Sequence, residues 1–136
     1  METMPPLNVV IAVALGGAAG ACMRYLISLV GARLESEEDR PRIPWYTFAA
    51  NVLGALLLGF VLRVSAEAEI SPGSPLYMGL AVGLCGALTT MSSFALEVVQ
   101  LFRRSATVES IGYLLLTLGS VMAAFLLAIS LPGYWL

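Results

Sequence analysis

The sequence predicts an all-α membrane protein with four transmembrane helices. Three observations carry that prediction. Apolar residues make up 59% of the chain and charged residues 12%, with a mean hydropathy of +0.88, whereas a water-soluble domain carries about 25% charged residues. The apolar residues fall into four stretches, at about 7–29, 46–62, 76–102 and 111–131, and about 20 residues of helix span a bilayer core. What lies between them is too short for a soluble domain, so residues 1–136 are read as one transmembrane unit.

The same composition excludes several classes of function. A net charge of −2 offers no basic patch for a nucleic acid. The chain has no histidine, which removes the commonest general base and most zinc sites. Cys22 and Cys85 stand singly within apolar stretches and read as small core hydrophobes, with neither disulfide nor metal-clip spacing.

The first stretch is interrupted only by Arg24, near its end. Ala19-Gly20-Ala21 has the look of a signal-peptide cleavage site, but residues 1–6 hold no Arg or Lys, so a retained first helix is expected. The second stretch is short for a span. It carries Thr47 and Asn51 four residues apart, on one helix face with Gly54 and Ala55 beside them. The third is longer than a straight span needs. Its centre holds Gly83, Gly86, Thr89, Thr90, Ser92 and Ser93, a poor composition for the middle of a helix.

A break there would free backbone carbonyls for a small cation. A continuous helix that uses the same small residues for close packing is the other arrangement. The fourth stretch carries Thr117 and Ser120 next to Gly119. Among the connections, Arg33, Arg40, Arg42, Arg103 and Arg104 fall on the side opposite the termini and Arg63 on the termini side, which places both termini outside.

Polar groups within spans are functional candidates by default. Asn51, Thr90, Ser92 and Ser93 offer N–H and O–H donors, and Phe94 offers the positive edge of its ring. Such neutral donors can replace water around a small anion without trapping it; hydrogen bonding between helices would use the same groups. Gly16-x-x-x-Gly20 and Gly79-x-x-x-Gly83 are faces for close helix approach. Four short helices hardly enclose a polar path alone, so these faces are expected to serve a dimer.

Three motifs then occur in order: Gly16-Gly17-x-x-Gly20-Ala21-x-x-Arg24-Tyr25, Thr47-x-x-x-Asn51-x-x-Gly54, and Gly83-x-x-Gly86-x-x-Thr89-Thr90-Met91-Ser92-Ser93-Phe94. Together they resemble the Fluc (CrcB) family of fluoride channels over the whole chain. The resemblance implies an antiparallel, dual-topology homodimer of four-helix subunits with a third helix broken at mid-membrane. It implies fluoride pores along the dimer interface and passive export of cytoplasmic fluoride through a bacterial plasma membrane. It also implies a structural sodium ion held by the backbone carbonyls of Gly86 and Thr89.

By the same resemblance Asn51, Thr90, Met91, Ser92, Ser93 and Phe94 line the pore. Thr47, Glu97 and Ser120 belong to a polar track beyond it, and Arg24 lies near an entrance. The partners are fluoride, the bilayer and a second copy or a homologous subunit, with no nucleic acid and no enzymatic chemistry.

Two departures qualify the match. Met91 stands where the family has the first phenylalanine of its aromatic box, and methionine has no ring quadrupole. The arginine asymmetry, five to one, suits one member of an oppositely oriented heterodimeric pair. A proton-coupled antiporter of the small multidrug resistance type is a rival from another class. It needs a carboxylate in the first span, where this chain has none.

Overall fold

Helix α1 runs through Leu7–Leu34 in the computed structural model, which describes residues 5–34, 43–104 and 106–130. Helix α2 follows at Trp45–Glu67. The third span is composite. A short α3 at Pro75–Tyr77 leads into a π-helical segment at Met78–Leu84, then α4 at Cys85–Leu88, and α5 at Met91–Arg103. Helix α6 is the last described element, at Thr107–Ser130. Among the described residues, four helical segments are long and apolar enough to cross a membrane, so the chain is a multi-pass membrane protein.

The helices overrun the apolar stretches because their ends are set by local polar chemistry as well as by hydropathy. Helix α2 continues past residue 62 because Arg63 and Glu67 pair one turn apart, at 2.8 Å. It stops where Glu69 takes a left-handed φ of 51° and the Ile70 N–H closes on the Ser65 carbonyl at 2.8 Å. The third span starts on Ser74, whose Oγ accepts the Tyr77 N–H at 3.3 Å, with Pro75 at the first helical position. The acidic and basic cluster at 36–42, with Arg40 and Arg42, lies outside the described residues.

Helix α1 packs chiefly on the π-helical segment and α4, whereas α2 packs on α6 and α5 folds back on α6. The glycine faces make the first contact. A methyl group on Gly83 would lie 2.6 Å from the Val13 carbonyl oxygen, and one on Gly16 would collide with the carbonyl of Gly79. Gly16-x-x-x-Gly20 and Gly79-x-x-x-Gly83 therefore face each other inside one subunit, which corrects the expectation that they serve a dimer. Each small-residue ridge finds its partner in the same chain because backbones can approach closely only where both sides lack side chains.

The buried apolar cluster is small: Phe94, Leu101 and Tyr113, flanked by Ile43, Phe48, Val98 and Leu114. Large apolar side chains such as Leu15, Leu115 and Leu127 point outward, as expected where lipid is the solvent. Cys85 is buried, but Cys22 lies on the outer face of α1, so only one of the two cysteines is a core residue.

Candidate functional site

The third span breaks at Thr89 and Thr90, so the broken arrangement, not the continuous helix, is the one adopted. Both residues are extended, with φ −80° and ψ 155° at Thr89 and φ −146° and ψ 117° at Thr90. The Thr89 N–H and hydroxyl both donate to the Cys85 carbonyl, at 3.1 and 3.0 Å, and end α4. Thr90 then opens α5 as its cap: its Oγ1 accepts the Ser93 N–H at 3.2 Å. The same hydroxyl donates to Ser93 Oγ at 3.2 Å and lies 3.4 Å from Ser92 Oγ.

Asn51 of α2 engages the backbone at the break. Its Oδ1 accepts the Thr90 N–H at 2.8 Å, and its Nδ2 donates to the Thr90 carbonyl at 3.2 Å. The two backbone partners fix which way the amide points. A carboxamide has two N–H donors, so one amide proton remains beyond this pairing. Three residues on, Gly54 abuts the Thr89 side-chain methyl. Thr47, Asn51, Gly54 and Ala55 are all buried on one α2 face, as their spacing predicts.

Two cavities meet at Thr90. One, of about 270 Å³, is lined by Arg24, Tyr46, Thr47, Thr90 and Ser93 among others. The other, of about 340 Å³, is lined by Asn51, Gly86, Thr90, Met91, Phe94 and Thr117 among others. The break is thus a partition with a polar residue on both faces. Phe94 is buried against Tyr113, with ring centroids 5.4 Å apart and planes at 55°. Met91 is 72% exposed and projects from the subunit at the edge of the larger cavity. Ser92 and Gly86 are exposed on the outside as well.

Glu97 lies behind the smaller cavity. The Thr47 hydroxyl donates to its Oε1 at 2.6 Å and the Tyr113 phenol to its Oε2 at 2.9 Å. The carboxyl group is thereby held by one donor from α2 and one from α6. Ser120 is half-buried and lines neither cavity.

Two further residues belong to the site: Tyr113, which the sequence leaves unassigned, and Thr117, which it marks only as a polar group within the fourth stretch. Tyr113 is fully buried and completes the Glu97 cluster; the signal for it is only that a carboxyl group within a span needs a partner. Thr117 is also buried. Tyr113 lies one turn earlier on α6, near enough for a weak contact, and Thr117 Oγ1 has no hydrogen-bond partner of standard geometry among the described residues. It faces the larger cavity opposite Asn51 and Phe94.

No group of three His, Cys, Asp or Glu residues that could hold a metal occurs among the described residues. Backbone oxygen at the break is the available ligand chemistry. In a continuous helix the Gly86 and Thr89 carbonyls would accept the N–H groups of Thr90 and Ser93, four residues on. Those protons go instead to Asn51 Oδ1 and Thr90 Oγ1. Both carbonyls are released from helical pairing, as oxygen ligands for a hard cation should be.

Comparison with known proteins agrees with this architecture. A family model described as CrcB-like protein, Camphor Resistance (CrcB), matches residues 11–129. A protein of Agrobacterium fabrum named fluoride-specific ion channel FluC is 35% identical over 119 residues, covering 88% of this chain and 91% of its own. One of the same name from Mesorhizobium japonicum is 36% identical over 124 residues, covering 88% and 95%. A Nocardia farcinica protein named fluoride-specific ion channel FluC 2 is 36% identical over 123 residues, covering 89% and 81%. A match across nearly all of the four spans leaves one assignment: this chain belongs to the CrcB family.

Proposed function

We propose that this protein is a fluoride-selective channel that lets cytoplasmic fluoride leave a bacterial cell down its electrochemical gradient. One observation carries the reading. Two cavities flank a mid-span break lined by neutral donors (the free Asn51 amide proton and the hydroxyls of Thr90, Ser93 and Thr117), in a chain whose relatives are named for that function. A small hard anion must be stripped of water to pass. Neutral N–H and O–H groups replace that water, while the cation Arg24 is set back in the smaller cavity, away from Asn51.

In this reading Asn51, Thr90, Met91, Ser92, Ser93 and Phe94 line the path, joined by Thr117. Thr47, Glu97 and Ser120 form the polar track, and Arg24 concentrates anions at an entrance. The carbonyls of Gly86 and Thr89 would hold a structural sodium ion, whose positive charge would make the break favourable for an anion. Gly86, Ser92 and Met91 face outward from the subunit, and an added methyl on Gly86 would meet nothing within 4 Å. Polar backbone exposed at that depth needs protein around it. A second, antiparallel copy provides it most simply, and a homologous subunit is the alternative.

The test is fluoride efflux from liposomes holding the protein expressed alone, followed with an ion-selective electrode. Fluoride should leave while chloride is retained; equal loss of both ions refutes the reading. Phe94→Ile should abolish the flux with the protein still folded, and normal conduction would remove Phe94 from the path.

A further inference from the structure

The helix break is held open from outside the third span, by residues one turn apart on α2. The Asn51 amide exchanges two hydrogen bonds with Thr90, at 2.8 and 3.2 Å. That exchange copies the pairing of neighbouring β-strands and suits the extended conformation of Thr90. Without the amide, the Thr90 N–H would be a buried donor with no acceptor, a costly state. The acceptor nearest in sequence is the Gly86 carbonyl, and closing on it would heal the helix.

Gly54 acts on the other residue of the break. Its Cα lies so close to the Thr89 Cγ2 methyl that no Cβ fits between them. Thr89 cannot swing that methyl away freely. Its χ1 is tied by the hydrogen bond from Oγ1 to the Cys85 carbonyl at 3.0 Å, and a β-branched side chain has few rotamers to use. A side chain at position 54 would therefore push the Thr89 backbone, and its carbonyl with it.

We propose that Asn51 and Gly54 are positioning residues for the carbonyl cation site. The Asn51 amide keeps the Gly86 carbonyl free by occupying its helical donor, and the bare backbone at Gly54 sets where the Thr89 carbonyl lies. This inference rests on the sodium reading given above. It gives Asn51 two tasks at once: the amide that presents a spare proton to the larger cavity also holds the cation ligands apart from the helix. Anion path and cation site then share one side chain.

The experiment is thermal melting of the detergent-purified full chain, followed by tryptophan fluorescence, across a titration of sodium against N-methylglucamine. The wild type should melt higher as sodium rises. Asn51→Ala should need at least about tenfold more sodium for the same effect, the equivalent of roughly one net hydrogen bond. Gly54→Ala should shift the sodium requirement in the same direction. Adding Thr89→Ser, which deletes the colliding methyl, should return the Gly54→Ala protein to the wild-type requirement.

The sodium requirement is the readout, because loss of packing alone lowers the melting point without moving it. A wild type indifferent to sodium overturns the cation reading itself. A responsive wild type with unchanged requirements in both single variants overturns this proposal and leaves the cation reading standing. Should Asn51→Ala fail to fold, the Gly54 series decides, and absence of rescue by Thr89→Ser overturns the proposal.

Discussion

Replacing Gly20 by alanine tests the close packing of α1 on the third span. The new methyl would collide with the Leu84 carbonyl oxygen and lie 3.0 Å from its carbon and 3.1 Å from Leu88 N. All three are backbone atoms of the third span, so no side-chain rotation relieves the contact. Carbon atoms rest at about 3.5–4.0 Å, so α1 and the third span must separate by about 0.5–1 Å, which forfeits about a quarter to a half of each nearby contact's attraction.

Overpacking costs about 1–3 kcal/mol, and a clash with backbone alone belongs at the upper end. Alanine recovers about 1 kcal/mol of helix propensity. The net loss is about 2 kcal/mol, or about 8 °C in Tm at about 4 °C per kcal/mol for a chain of this length. Gly17 is the internal control. A methyl there has the Gly83 carbonyl oxygen as its nearest neighbour, at 3.9 Å, an ordinary contact. Gly17→Ala should melt at or above the wild type. The assay is a fluorescence melt of both variants in one detergent. If the two melt together, the close approach of α1 to the third span is not what holds these helices.

Three further outcomes are expected. Tyr113→Phe removes one of the two donors to Glu97 and should cost about 0.5–1.5 kcal/mol, the usual net range for a hydrogen bond; in a double-mutant cycle with Glu97→Gln the melting losses should not add. Met91→Phe should leave the packing within the subunit unchanged, because the side chain is 72% exposed there, and should raise fluoride flux in the liposome assay by adding an aromatic edge to the path. Thr117→Val deletes a buried hydroxyl with no hydrogen-bond partner of standard geometry among the described residues, so Tm should hold or rise while fluoride flux falls.

The spans and the place of the break were legible in the sequence for a common reason: each is written locally. Hydropathy marks a span, and Gly, Thr and Ser mark a weak point in a helix. That left a break and a continuous close-packed helix both open until the structure showed the break. The α2 face was legible because Thr47 and Asn51 recur at the helical period. What was not legible depends on partners far along the chain. Tyr113 lies among leucines and becomes a Glu97 ligand only when α5 folds back on α6. The glycine ridges announce close approach but not to whom, and they meet within one subunit. Helix ends depend on single contacts, such as Arg63 with Glu67, that hydropathy does not weigh. The π-helical turn at Met78–Leu84 has no signature in composition at all.

The two halves of the third span have different chief neighbours: Met78–Leu88 lies along α1, Met91–Arg103 lies along α6, and α2 touches both. A rod that crosses a bilayer answers a change in thickness by tilting as a whole. A span in two pieces has one place where it can bend, and that place is Thr89–Thr90. The joint where the span can yield is thus the one that carries the released carbonyls and the Asn51 amide.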